Sequence, residues 1–319
     1  MRIWPIFLKR KMPSMVEGQG LGLALALPQP RIELQNIVIG TTGFCNASCI
    51  HCPTNKPETR HIARGNMAMA LFKRIVDQLA EPEVTITGPI SLGLFGDSLM
   101  DTYIVERVAY LRKLLPNAFI NVNTNGAAYS RDIHLKLRES VTSISLHIES
   151  LDPKTYNRLM APLRLNRVLP KCLALVEDFA GKLFVSVPIS RANYLEKDAI
   201  ESFFLDRGAG HVQFAPLMNR SSNNPMFAEL AFSPLAMTCR SSLLADVIVD
   251  WEGDVFACCQ DFAKEMKVGD LSQQSLREML ASVERKKLGE MLDAGRWSEL
   301  PTCSKCQYDC GSPESENKA

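Results

Sequence analysis

The segment CNASCIHC, residues 45–52, places three cysteines at C-x3-C-x2-C spacing, shortly after the apolar run Leu34–Ile39. Thiolates this close together can bind one metal centre from a single loop, and iron–sulfur clusters are held by cysteine thiolates. Three ligands on a four-iron cluster leave one iron open to a small molecule. The alternative is a structural zinc site closed by a fourth ligand, His51 or His61. Either way, the spacing predicts that Cys45, Cys49 and Cys52 bind a metal centre.

Length and charge restrict the classes of function. The chain has 319 residues and a formal net charge of +1, which suits one large domain plus a smaller one. A near-neutral net charge gives no sign of the basic surface that binds nucleic acid. No apolar run is long enough to span a bilayer. Most of the ten cysteines fall in tight groups, which favours metal binding in the reduced cytoplasm over disulfides.

The pattern of apolar runs predicts an α/β fold. Residues 1–30, rich in proline and glycine, are interpreted as an irregular extension. After them, strand-like and helix-like segments alternate, which implies βαβ crossovers and a parallel sheet. The predicted strands are Leu34–Ile39, Ile90–Phe95, Phe119–Val122, Val141–Ile148, Leu183–Pro188 and His211–Phe214. The predicted helices are Ala68–Leu79, Tyr103–Leu115, Arg131–Arg138, Arg167–Phe179 and Leu195–Leu205.

The cysteine spacing and the six strand–helix units together resemble the radical S-adenosylmethionine (SAM) superfamily. The resemblance implies an open, partial (βα)6 radical SAM barrel over residues 31–225, with the active site at the carboxyl ends of the strands. In that family the open iron chelates the amino and carboxylate groups of SAM, whose cleavage yields a 5′-deoxyadenosyl radical. The implied cofactors are SAM and a [4Fe-4S] cluster on Cys45, Cys49 and Cys52.

Further residues are assigned to SAM by the resemblance. Gly96, Asp97 and Ser98 take the place of the family's G-E-P motif, with Asp for Glu and Ser for Pro; an ordinary strand-to-loop turn is the alternative. His51 stands where the family often has an aromatic residue near the adenine. The other predicted SAM-side residues follow strands three, four and five: Asn123, Asn125, Ser145, Ser190, Arg191 and Asn193. For Arg191, a solvated loop arginine is the alternative.

The carboxyl-terminal part has its own cysteine group. Two β-rich runs flank the turn Trp251–Asp254, which predicts a hairpin, and a helix is predicted over Ser275–Asp293. Residues 226–319 resemble the SPASM auxiliary-cluster module in its shortened form, twitch. The implied second [4Fe-4S] cluster would be bound by Cys239, Cys258, Cys303 and Cys306, with Cys310 as an alternative to one of the last two. A zinc site with the same ligands is the other reading.

The resemblance gives the reaction class but leaves the substrate open. Short relatives with a single auxiliary cluster act on aminocyclitols and aminoglycosides, so a small polyol, aminocyclitol or sugar-containing substrate is expected. Epimerisation and dehydrogenation are the two expected outcomes, with a flavodoxin or ferredoxin-type reductant. A peptide-modifying maturase of the SPASM type and an electron-relay protein are the alternatives.

Two residues are candidates for contact with the reacting substrate. Arg220 follows the sixth strand, where it would orient a substrate hydroxyl; an inter-domain salt bridge is the alternative. Cys259 follows the predicted ligand Cys258, and its thiol would return hydrogen to a carbon radical, as an epimerase requires. The alternative is that Cys259 is buried in the core, as free cysteines commonly are.

Overall fold

The computed structural model of the chain describes residues 30–309 and 311–312. The extension predicted over residues 1–30 therefore lies, except for Pro30, outside the described residues. The described residues from Arg31 onward form one compact unit. Within the described ranges, no helix is long and apolar enough to cross a membrane.

Short strands alternate with helices along most of the chain. The strands are β1 (Ile32–Leu34), β2 (Ile37–Ile39), β3 (Val84–Ile86), β4 (Ile90–Leu92), β5 (Ile120–Thr124), β6 (Ser143–His147), β7 (Leu183–Ile189), β8 (His211–Pro216), β9 (Pro234–Ala236), β10 (Val247–Val249), β11 (Asp254–Phe256), β12 (Lys267–Asp270) and β13 (Gln307–Asp309). The helices are α1 (Met69–Leu79), α2 (Ile104–Leu114), α3 (Arg131–His134), α4 (Pro153–Leu159), α5 (Leu165–Asp178), α6 (Lys197–Leu205), α7 (Pro225–Leu230), α8 (Leu276–Leu280) and α9 (Val283–Asp293).

The main sheet has nine strands in the order β12-β11-β10-β2-β4-β5-β6-β7-β8. Strands β2 and β4 to β8 are parallel and neighbour one another in chain order. Each gap between them contains at least one helix, so the carboxyl ends of six strands meet at one edge of the sheet. This is the arrangement that the alternating sequence pattern predicts.

Helix α1 shows how the helices cover the sheet. Its residues Phe72, Ile75, Val76 and Leu79 are buried, at the spacing that puts apolar side chains on one face of a helix. They pack with the fully buried residues of β2 and β4 in one hydrophobic core. Burial of these apolar faces fixes the sheet and therefore the position of the loops at its edge.

The structure corrects several predicted boundaries. The first predicted strand, Leu34–Ile39, is two strands: β1 pairs with β3 outside the main sheet, and β2 lies within it. The helix predicted over Arg131–Arg138 is α only to His134 and continues as a 3-10 helix. The helix predicted over Ser275–Asp293 is two helices, because the first ends at Leu280 and Ser282 caps the second.

The predicted hairpin is present, and its first strand extends the main sheet. Strand β10 pairs antiparallel with β11 and parallel with β2. All three residues of β10 are buried, so the hairpin covers an edge of the six-stranded sheet that would otherwise be unpaired. The domain boundary predicted near residue 225 stays a prediction, since strands from both sides of it share this sheet.

Candidate active site

The loop after β2 brings three cysteines to the carboxyl edge of the sheet. Cys45, Cys49 and Cys52 line one cavity of about 250 Å³, called here the three-cysteine cavity. The rest of its wall comes from the cysteine loop, the ends of β4 to β7 and the segment after β8: Ala47, His51, Leu94, Gly96, Asp97, Asn123, Thr124, Asn125, His147, Ser186 and Arg220.

Two asparagines hold the cysteine loop in place. Asn125 Nδ2 donates to Asn46 Oδ1 at 2.7 Å, which joins the turn after β5 to the loop. Asn55 Nδ2 donates to the backbone oxygens of Cys45 and Ala47, at 2.9 and 2.8 Å. The loop is therefore fixed by polar side chains on both sides.

Asp97 links the loop after β4 to the turn after β5. Its buried carboxylate accepts hydrogen bonds from the Thr124 hydroxyl at 3.0 Å and from the Asn125 amide at 2.7 Å. Burial raises the pKa of Asp97, and these donors act against the rise. Gly96 is required beside it, since an added Cβ would lie 2.4 Å from the Phe44 carbonyl oxygen.

Two imidazoles in the wall of the three-cysteine cavity, those of His51 and His147, contact the buried carboxylate of Glu149. Glu149 Oε1 lies 3.2 Å from His147 Nε2 and 3.5 Å from His51 Nδ1. Burial acts to raise the pKa of Glu149, but His51 and His147 lower it to about 2. Glu149 was not predicted from the sequence, although its place two residues after the end of β6 is a signal that could have found it.

Five cysteines line a second cavity of about 190 Å³, called here the five-cysteine cavity. They are Cys239, Cys258, Cys259, Cys303 and Cys306. The remaining wall is mostly apolar: Met218, Met237, Leu243, Gln260, Met266, Leu292, Trp297 and Thr302.

The thiols of both cavities fit a cationic metal centre. Burial raises the pKa of Cys45 to about 12 and that of Cys303 to about 11, and it raises the pKa of Cys49 well above its usual range. Such thiols stay protonated near neutral pH unless a metal takes up their negative charge.

Arg220 lies close to both groups of cysteines. Its charge acts to lower the pKa of Cys49, against burial, and together with the thiol of Cys258 it lowers the pKa of Cys259. The guanidinium stacks on Phe262, with 4.7 Å from Cζ to the ring centroid. Within the part of the chain that the structure describes, it forms no salt bridge, and its buried Nε has no hydrogen-bond partner. Its charge is therefore available to a ligand.

Family models match the two regions that contain these cavities. The radical SAM superfamily model matches residues 39–178. The model of SPASM, an iron–sulfur cluster-binding domain, matches residues 239–307. This chain is a radical SAM protein with a SPASM domain. The family resemblance and the predicted cofactors, SAM and iron–sulfur clusters, are thereby confirmed, as is the barrel fold with a carboxyl-terminal auxiliary domain.

Solved radical SAM structures share the fold at low sequence identity. BtrN in complex with AdoMet and 2-DOIA is 18% identical with a TM-score of 0.61, covering 87% of this chain and 94% of that one. The enzyme anSMEcpe with bound AdoMet is 12% identical with a TM-score of 0.61, covering 84% and 88%. SuiB of Streptococcus suis, bound to precursor peptide SuiA, is 13% identical with a TM-score of 0.53, covering 81% and 67%. No curated protein sequence matches the chain.

The structure brings together five of the ten predicted SAM-side residues. His51, Gly96, Asp97, Asn123 and Asn125 line the three-cysteine cavity with the cysteines. Ser98 does not line it, and its hydroxyl donates to the Leu92 oxygen at 2.8 Å.

Four others are outside the lining residues. Ser145 is buried on β6 beside Asn123. Ser190 bonds to Asn193, whose Nδ2 donates to backbone oxygens. Arg191 Nε donates to the Ala231 oxygen at 2.8 Å. A contact of these four with SAM stays a prediction.

Ser186 lines the cavity on β7 and was not predicted. Its place between two apolar residues, Val185 and Val187, is the alternation that puts one strand residue on the opposite face from its neighbours. Cys310, the alternative cluster ligand, lies outside the described residues.

Proposed function

We propose that this radical SAM enzyme inverts a carbon centre of a small polyol, aminocyclitol or sugar-containing substrate, with Cys259 as the hydrogen donor. The observation that carries the proposal is the place of Arg220. It lines the three-cysteine cavity, and its charge reaches Cys49 in one cavity and Cys259 in the other. We infer that a substrate hydroxyl held by this guanidinium would lie within reach of both SAM and the Cys259 thiol.

The residues of the three-cysteine cavity have different roles in the proposed binding of the cofactors. Cys45, Cys49 and Cys52 would hold a [4Fe-4S] cluster with one open iron. Bound SAM supplies a 5′-deoxyadenosyl radical that removes a hydrogen atom from the substrate. Gly96 has no side chain and so leaves space in the cavity for SAM. Asp97 holds the turn after β5 through its hydrogen bonds to Thr124 and Asn125.

Cys259 would complete the reaction. Four of the five cysteines suffice for one [4Fe-4S] cluster, and we take Cys239, Cys258, Cys303 and Cys306 as its ligands. As a cluster ligand, Cys258 would not donate a hydrogen bond to Cys259, whose S–H bond would then be free to react. The substrate radical takes the hydrogen atom, and a thiyl radical remains.

The electron balance requires a reductant. One electron cleaves SAM, and a second electron with a proton restores the Cys259 thiol in each turnover. A flavodoxin or ferredoxin-type protein of the cytoplasm would supply both electrons.

Dehydrogenation is the second candidate. It is favoured by the fold shared with BtrN, whose structure contains AdoMet and 2-DOIA. In this reaction the substrate radical would lose a proton and one electron to leave a ketone, and an auxiliary cluster held by the carboxyl-terminal cysteines would supply the electron acceptor. The structures of anSMEcpe and SuiB with peptides support peptide modification as a further alternative. The remaining alternative, a protein that only relays electrons, would be excluded if the enzyme cleaves SAM without substrate.

The test compares Cys259→Ala and Cys259→Ser with the wild type in deuterated water, using reconstituted enzyme, SAM, a reductant and a panel of aminocyclitols. We expect wild-type product to gain one deuterium at the inverted carbon. Both variants should cleave SAM without inversion, because a serine O–H bond is too strong to donate hydrogen. Cys172→Ala is the control, since Cys172 is fully buried and should leave inversion intact. A ketone formed equally by wild type and variants would instead establish dehydrogenation.

A further inference from the structure

Arg220 sits in an unusual backbone conformation. Arg220 and Ser221 have φ angles of 51° and 52°, in the left-handed region that residues other than glycine seldom adopt. Two such residues in succession persist only when surrounding contacts hold them. The question is which group holds this turn.

The side chain of Asn219 supplies those contacts. Asn219 is buried, and its Oδ1 accepts from the amides of Ser221 at 3.0 Å and Gln307 at 2.9 Å. Its Nδ2 donates to the oxygens of Lys305 at 2.6 Å and Ser222 at 3.3 Å. Both acceptor sites and both donor hydrogens of the amide are thus used. Two of the four bonds close the turn, and two reach the segment after Cys303.

Backbone bonds strengthen the same connection. The Asn219 amide donates to the Gln307 oxygen at 3.1 Å, and the Asp309 amide donates to the Leu217 oxygen at 2.8 Å. The turn is therefore attached to the segment that carries Cys303 and Cys306, two lining residues of the five-cysteine cavity. Its other face is the three-cysteine cavity, which Arg220 lines.

We propose that Asn219 is a positioning residue that fixes the Arg220 guanidinium in the three-cysteine cavity by attaching its turn to the Cys303–Cys306 segment. Through this attachment the SPASM domain sets the place of a residue in the radical SAM cavity. The role of Arg220 toward substrate rests on the proposed function, whereas its placement by Asn219 does not.

The experiment measures Arg220 directly and needs no substrate. Reconstituted full-length enzyme is treated with phenylglyoxal under anaerobic conditions, and the labelling rates of Arg220 and of the exposed Arg167 are followed by peptide mass spectrometry. In Asn219→Ala, phenylglyoxal should label Arg220 at least about fivefold faster than in the wild type, because loss of the buried hydrogen bonds favours local opening of the turn. The labelling rate of Arg167 should be unchanged.

Two further variants keep the proposal testable if Asn219→Ala does not take up iron normally. Asn219→Asp keeps the two acceptor bonds but places a carboxylate oxygen against the carbonyl oxygens of Lys305 and Ser222, so Arg220 should be labelled faster in this variant than in the wild type. Asn223→Ala, at an exposed asparagine of the same loop, should label as the wild type does. Wild-type labelling of Arg220 in both Asn219 variants, or equal acceleration at Arg167, would overturn the proposal.

Kinetics separate this proposal from the proposed function. With an aminocyclitol that is turned over, Asn219→Ala should raise KM as Arg220→Ala does, and the double variant should be no worse than Arg220→Ala alone. Additive losses would show a merely structural role. If no aminocyclitol is turned over, the proposed function fails and the labelling result still decides the placement.

Discussion

The two cysteine cavities of this chain differ in their walls more than in their thiols. The three-cysteine cavity is bordered by a carboxylate, imidazoles, amides and a guanidinium, whereas the five-cysteine cavity has mainly methionine, leucine and tryptophan around it. A polar wall suits a site that binds a charged ligand such as SAM, with its amino and carboxylate groups. An apolar wall suits a site that encloses a cluster and excludes water.

Buried carboxylates near the two cavities show the same contrast. Glu149 has two imidazole neighbours, and its pKa falls to about 2 despite burial. Asp261 accepts from the Thr302 hydroxyl and from backbone amides, and burial raises its pKa. One carboxylate thus has two imidazole neighbours, and the other has a hydroxyl and backbone amides.

The largest effect is expected from removing each group of thiols separately. Replacement of Cys45, Cys49 and Cys52 by Ala should abolish 5′-deoxyadenosine formation and leave about four iron atoms per chain. Replacement of the four proposed auxiliary ligands, Cys239, Cys258, Cys303 and Cys306, should also leave about four iron atoms, but SAM cleavage should persist without product. Iron analysis and chromatography of 5′-deoxyadenosine measure both results.

The wild type is the control and should contain about eight iron atoms per chain if both sites hold four-iron clusters. SAM cleavage that survives in the triple variant would contradict the assignment of the first cavity. A wild-type count near four, with zinc present, would contradict that of the second.

Glu149→Gln should give the second largest effect. The fall of its pKa from 4.5 to about 2 corresponds to about 3 kcal/mol of stability at neutral pH. Because the folded pKa is below the unfolded value, this stability is present above pH 4.5 and is lost as the pH falls toward 2. Urea unfolding at pH 7 should show that Glu149→Gln has a lower free energy of unfolding than the wild type. Measured on the iron-free chains, this difference should become smaller below pH 4.5.

Glu177→Gln is the matched control. Glu177 pairs with Arg131 at the surface, where its side chain is 77% exposed. Such pairs contribute about 1 kcal/mol or less. Equal losses in the two variants would show that the imidazole neighbours do not stabilise Glu149.

The sequence predicts the parts of this molecule that depend on local spacing. The C-x3-C-x2-C loop, the six parallel strands and the carboxyl-terminal hairpin each have a pattern within a few residues. The pairing of β10 with β2 joins residues about 210 positions apart, and no local pattern encodes it.

The site residues show the same limit. Cys45, Asp97 and Asn125 follow strands in recognisable motifs and reach the cavity. Ser186 reaches it only because of how β7 is oriented in the folded sheet, and Glu149, which follows β6, contacts the two imidazoles in its wall. Conversely, Arg191 has a promising position in the sequence, but its guanidinium bonds to a backbone oxygen outside the cavity lining.

The smallest effect is expected from adding one methyl group in each region. In Gly96→Ala, the new Cβ would lie 2.4 Å from the Phe44 oxygen and 2.6 Å from the Thr42 oxygen. Backbone atoms cannot move aside as side chains do, so the cysteine loop must shift, at a cost of about 1–3 kcal/mol. In Gly289→Ala, on α9, the nearest atom is Leu244 Cδ1 at 3.4 Å, and alanine stabilises a helix by about 0.5–1 kcal/mol relative to glycine. The free energy of unfolding, measured in urea, and the affinity for SAM should therefore both fall in Gly96→Ala. Gly289→Ala should keep its SAM affinity and be no less stable than the wild type. Unchanged SAM affinity in Gly96→Ala would show that the cysteine loop tolerates displacement, and the close approach at Gly96 would then have no part in SAM binding.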